Sequence, residues 1–107
     1  MADEQNNQTV STTEKTNYRL PTNLTLQHIA KLSIVNDKPI MLDYWTKSLD
    51  KGIIIGIRES GEKLLVKSEE EYTSPIAKIY KVETDYIIET ENSLYLTKAG
   101  LEIRQVQ

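Results

Sequence analysis

The stretch IAKIYKVETDYIIETENSLYLTKAGLEIRQV, residues 76–106, decides the fold class. It divides into four short segments, residues 76–83, 85–91, 93–98 and 101–106, rich in Ile, Leu, Val, Tyr and Thr. Such side chains suit a pleated, half-buried surface, and segments of this length bounded by polar and glycine breaks read as strands. The breaks are Thr84-Asp85, Glu91-Asn92-Ser93 and Ala99-Gly100. Connections this short predict antiparallel neighbours.

Working outward, Ser68-Glu69-Glu70-Glu71-Tyr72-Thr73-Ser74-Pro75 is the main interruption. Three adjacent glutamates read as a solvated loop. A hard-cation loop would space its ligands and supply a glycine for the turn, and neither is present, so no metal site is expected. Upstream, Glu59-Ser60-Gly61-Glu62 is a hairpin signal joining residues 52–58 to residues 63–67. The run Gly52-Ile53-Ile54-Ile55-Gly56-Ile57-Arg58 is apolar on both faces, as a central and most buried strand should be. Further upstream, Ile40, Leu42 and Tyr44 alternate with Met41, Asp43 and Trp45, which predicts a first strand, with a polar connection over residues 46–51.

Before Pro39 the period lengthens. Leu26, Ile29, Ala30 and Leu32 or Ser33 lie at helical spacing, with Thr25 or Asn23 available as the N-cap. Pro39 disfavours helical geometry at Lys38 and ends the helix. Residues 1–24 are dominated by Gln, Asn, Thr, Ser and Glu, and are expected to form a disordered N-terminal arm. Residues 25–107 form one domain. The expected class is mainly β (α+β): a small antiparallel open barrel or roll of about six to seven short strands with one N-terminal helix.

Composition narrows function. The chain has no cysteine and one histidine, His28, so thiolate chemistry is absent and imidazole chemistry is confined to one position. His28 with Asp43 could form a dyad, but no serine or threonine occupies a nucleophile elbow, and a helix histidine is the simpler reading. Glu89 and Glu91 share a strand face and could pair as hydrolase carboxylates, yet they equally match an ordinary solvent-facing edge. Gly52-x-x-x-Gly56 and Gly61-Glu62-Lys63 superficially match phosphate loops, but Gly61 joins two strands where such a loop must feed a helix. The reading is therefore a non-enzymatic protein with no cofactor. The net charge of −3 is too small to imply electrostatic steering of a partner. No basic n-region or apolar h-region opens the chain, no run is long enough to span a bilayer, and zero cysteine fits a reducing compartment. A cytoplasmic location without a membrane partner is expected.

The aromatic residues carry the sharpest functional expectation. Tyr44 and Trp45 are adjacent, so in a strand they point to opposite faces, and one of them should be exposed or covered by the helix or arm. With Tyr72 in the long loop they form the candidate interaction surface, since interface centres favour Tyr and Trp over Lys. The partner would be another protein or a second copy. The alternative is a small-barrel nucleic-acid-binding protein using exposed Tyr or Trp and Lys, with Lys78 and Tyr80 on one strand face and Arg58, Lys67 and Lys81 bordering a base-stacking surface.

Three strings, Asp37-Lys38-Pro39-Ile40-Met41-Leu42-Asp43-Tyr44-Trp45, Tyr72-Thr73-Ser74-Pro75-Ile76 and Thr90-Glu91-Asn92-Ser93-Leu94-Tyr95, carry a resemblance. On them, residues 25–98 resemble small uncharacterised proteins of nucleocytoplasmic large DNA viruses. The resemblance implies a virus-encoded structural module or minor virion component, in the host cytoplasm or the virion. It implies no activity and no functional residues.

Overall fold

The computed structural model describes residues 18–106; of the arm expected over residues 1–24, residues 1–17 lie outside the described residues. The chain runs α1 (Asn23–Asn36), β1 (Ile40–Met41), α2 (Trp45–Leu49), β2 (Ile54–Ile57), β3 (Lys63–Val66), β4 (Ile76–Val82), β5 (Asp85–Thr90), β6 (Leu94–Lys98) and β7 (Glu102–Gln105). The expected class is what forms, mainly β with one helix ahead of the strands. The strands divide into two sheets, ordered β1-β6-β5-β4 and β3-β2-β7.

Strand β5 shows why the layers stack as they do. Its Ile87 and Ile88 are both fully buried, and they point to opposite faces. Ile88 joins Tyr44, Ile53, Ile55, Leu65 and Leu101 in a core between the sheets. Ile87 joins Ile29, Trp45, Leu94 and Leu96 in a second core beneath the helices. The molecule is thus three layers deep: helices, the four-stranded sheet, the three-stranded sheet. Each fully buried isoleucine contributes on the order of 1.5–3 kcal/mol, so β5 and not β2 is the strand on which both cores depend. β2 is central in its own sheet, as expected, but Ile54 and Ile57 are only half-buried.

Two pairings depart from the antiparallel expectation. β4–β5–β6 is an antiparallel meander and β2–β3 an antiparallel hairpin turning at Gly61, whose φ is +94°. β1, however, lies parallel to β6, and β7 leaves the meander to lie parallel to β2. The Ala99-Gly100 break lets the chain cross between layers, with Gly100 at φ +80° and Leu101 dropping into the inter-sheet core.

The first expected strand is also cut short. β1 ends at Met41, and the chain turns at Leu42, whose carbonyl accepts from Trp45 N–H at 3.2 Å, to enter α2. Burial drives this. Tyr44 and Trp45, adjacent in sequence, enter the inter-sheet core and the helix-side core respectively.

Helix α1 starts earlier than expected because Thr22 is the N-cap, its hydroxyl accepting from Thr25 N–H at 3.2 Å. It ends at Asp37, held in the left-handed region ahead of Pro39. Residues 19–22, expected in the arm, are fastened to the sheet. The Asp85 carboxylate, fully buried, accepts from Arg19 at 2.7 Å, Thr22 N–H at 2.9 Å and Thr25 Oγ1 at 2.8 Å. Trp45 Nε1 donates to the Arg19 carbonyl at 2.8 Å, and the guanidinium lies 5.0 Å from the Trp45 ring centroid. The far end of α1 is held by Glu89, which accepts from Asn36 at 3.0 Å and from Lys38 at 2.8 Å. No helix among the described residues is long and apolar enough to cross a membrane.

Candidate functional site

With helices on one face of the four-stranded sheet and the small sheet on the other, the outer face of the small sheet is left without a covering layer. Alternation decides what it presents. Ile53 and Ile55 of the β2 segment point inward, so Ile54 and Gly56 point outward, and their register partners Val66 and Leu64 on β3 share that side. Gly56 pairs with Arg104 across β7, which places the guanidinium on the same face. Beyond β7, Val106 N–H donates to the Ile57 carbonyl at 2.9 Å and its side chain lies directly over Gly56.

The result is a groove of about 660 Å³ whose floor is Ile54, Leu64, Val66 and Val106. Its rim carries Lys51, Arg58, Lys67, Arg104 and Tyr72. Tyr72 is half-exposed, and Arg58 sits 5.9 Å from its ring centroid. The Tyr72 segment is held in place by a bridge to Val66 and by Thr73, whose N–H donates to Leu65 O at 2.9 Å and whose hydroxyl accepts from Leu65 N–H at 3.1 Å. The loop expected over residues 68–75 therefore folds back on β3.

Three of the four rim cations already face carboxylates. Arg58 is 3.6 Å from Glu62, Lys67 is 3.5 Å from Glu71, and Arg104 clasps Glu102 at 2.8 and 3.1 Å. Arg104 holds the Glu102 carboxyl below its ordinary range. Lys67 also donates to the Asp43 carbonyl at 3.3 Å and lies 5.2 Å from the Tyr44 ring. Burial, reinforced by the negative charge of Glu71, pushes the Tyr44 phenol up to about 12. Lys51 is the rim cation with no ion pair among the described residues.

The expected interaction surface is corrected in two of its three members. Tyr44 is 4 % exposed and Trp45 8 %, because both anchor cores. Only Tyr72 presents its ring to solvent. Tyr44 stacks edge-on against Tyr95 at 5.3 Å, and Trp45 is covered by the Arg19 segment. The basic residues also separate: Arg58 and Lys67 border the groove, while Lys78 and Lys81 lie on β4 of the other sheet.

The candidate chemical pairs do not assemble. His28 is exposed on α1 beside a smaller cavity of about 380 Å³ lined by Leu24, Leu32 and Tyr80, and no hydrogen bond joins it to Asp43. Glu89 is buried and committed to Lys38, Asn36 and Tyr80, and the Lys38 ammonium holds its carboxyl below the usual glutamate range. Glu91 lies past the end of β5 and is exposed. No group of three or more His, Asp or Glu able to hold a metal ion occurs among the described residues. Compared with known protein families, curated proteins and solved structures, the chain matches none.

Proposed function

We propose that this protein is a non-enzymatic interaction module that seats an extended segment of a partner protein in the groove on the outer face of the small sheet. The observation that carries this reading is the groove itself: an apolar floor with Tyr72 and Arg58 at its rim. Aromatic and arginine anchors beside apolar floors are the usual centres of protein–protein contacts. Nucleic acid is the weaker reading. Stacking a strand of bases takes a series of exposed rings and unmatched cations. This groove offers one ring, and three of its four cations face glutamates. On the resemblance to viral proteins, the module belongs in the infected host cytoplasm or in the virion as a minor component, which proteomics of purified particles would test.

Selection of displayed peptides against the full chain tests the groove. Wild type should enrich extended peptides with apolar residues at alternate positions. Tyr72→Ala should weaken their binding by about tenfold or more with thermal melting unchanged, as expected at an interface anchor. Charge reversal at Lys78 and Lys81 should leave binding intact. Binding of single-stranded oligonucleotides that falls steeply with salt and is abolished by those reversals would replace this reading with the alternative.

A further inference from the structure

Among the outer edges of the two sheets, β7 is the one left open. β1 is only two residues long. On β3, Thr73 takes both the N–H and the carbonyl of Leu65. β4 carries a bulge between Ile76 and Lys78, and its lysines Lys78 and Lys81 guard it as edge lysines do. β7 is exposed along its whole length and has no lysine, proline or bulge. Val106 N–H donates to the Ile57 carbonyl at 2.9 Å, so Glu102 and Arg104, at alternate positions, also turn their backbone groups toward β2. Ile103 and Gln105 therefore aim N–H and C=O away from the sheet, and no hydrogen bond among the described residues meets them. Burial fails at the same edge. Leu65, Ile55 and Ile103 stand side by side across β3, β2 and β7 on the core side of the sheet, and are 0 %, 4 % and 59 % exposed. The core runs out at β7 with an isoleucine uncovered.

The charges on the strand identify what completes it. Glu102 and Arg104 share the other face of β7, where they clasp each other at 2.8 and 3.1 Å. Read backwards about Ile103, the segment Glu102-Ile103-Arg104 sets each charge against its opposite. We propose that β7 pairs antiparallel with β7 of a second copy about a two-fold axis at Ile103, joining the two small sheets into one continuous sheet. The two Ile103 residues then exchange both of their free backbone hydrogen bonds and cover each other's side chains. Glu102 of each copy comes opposite Arg104 of the other, so every guanidinium stands between two carboxylates. Moving the axis to Arg104 would set two guanidiniums face to face, which fixes the register. Any extended segment would satisfy the backbone groups; the reciprocal charge match is what selects a second copy. Four residues a side make a small interface, so dilution separates the copies. The pairing does not depend on the groove reading, though it places two grooves on one shared face.

Sedimentation equilibrium of the full chain over a broad dilution series tests this, and a monomer–dimer equilibrium is expected. Glu102→Arg and Arg104→Glu should each weaken it by about tenfold or more, since each sets like charges opposite one another. Mixing the two variants should restore pairing as a heterodimer, because one then presents only cations and the other only carboxylates. Tyr72→Ala, altered in the groove alone, should dimerise as the parent does, which separates this proposal from the groove reading. Amide exchange on the wild-type chain gives a readout that needs no variant to fold. The Ile103 and Gln105 amides should exchange freely in dilute solution and become protected at concentrations where the dimer forms. A wild-type chain that is monomeric throughout, a dimer whose Ile103 amide stays unprotected, or a mixture of the two charge variants that associates no better than either alone would overturn the proposal.

Discussion

A methyl group added at Gly56 would meet both Cγ atoms of Val106 at 2.9 Å and Val66 Cγ2 at 3.1 Å. Neither neighbour is the loose end of a flexible side chain, so strand or tail must shift. Gly56→Ala should therefore cost about 1–3 kcal/mol, read from the midpoint of urea unfolding. Val106→Ala in the same chain removes the nearest obstacle and should recover most of the loss. A single variant as stable as the parent would mean that Val106 does not hold this position over the strand. At this scale the sequence was legible only in part. Tyr44 and Trp45 do face opposite sides, but from the start of α2 and not from the expected strand. One was expected in the core and the other exposed or covered by the helix or arm, and instead both lie in cores. The reason is that the molecule has a core on each side of its larger sheet, and each takes one of the two rings.

At the scale of elements, β5 grips α1 at both ends with two buried carboxylates four residues apart, Asp85 at the helix start and Glu89 at its end. Lys38 keeps the Glu89 pKa depressed in the folded state. The stability from this contact is therefore complete above the ordinary glutamate value of about 4.3 and is lost as the pH falls toward the lower folded value. Urea unfolding at descending pH should show that loss as a falling midpoint. Glu89→Gln should start less stable and flatten that part of the acid limb. An unchanged acid limb in the variant would assign the loss to other carboxylates. The strand segments were legible because period-two runs and their breaks are local signals, and β4 through β7 fall within a residue or two of their expected bounds. Helix α2 was not, since its five residues, Trp45-Thr46-Lys47-Ser48-Leu49, are too few for a helical period to declare itself.

At the scale of the molecule, partner choice was the hidden quantity. Periodicity tells which face of a strand is buried and is silent on which strand lies beside it. The two parallel pairings, and the groove that depends on β7 lying beside β2, could not be read for that reason. Tyr72 alone among the expected surface residues reached the groove, because a tyrosine in a polar loop is exposed wherever the loop docks.

Those parallel pairings have a consequence in time. Ile40 pairs with Leu94, and Ile54 with Glu102, partners roughly fifty residues apart, while the β2–β3 hairpin and the β4–β5–β6 meander join near neighbours. The loop entropy of the distant pairings must be overcome before they return any energy, so the hairpin and meander should form first and β7 should arrive late. In stopped-flow chevrons, Leu65→Ala in the hairpin should slow folding. Leu101→Ala, at the approach to β7, should cost about 2–5 kcal/mol and express it mainly as faster unfolding. Equal slowing of folding by both would mean that β7 docks in the rate-limiting step. If it does arrive late, the groove is the last part of the surface to be assembled and the first to come apart, and its lifetime is set by the unfolding rate of a single four-residue strand.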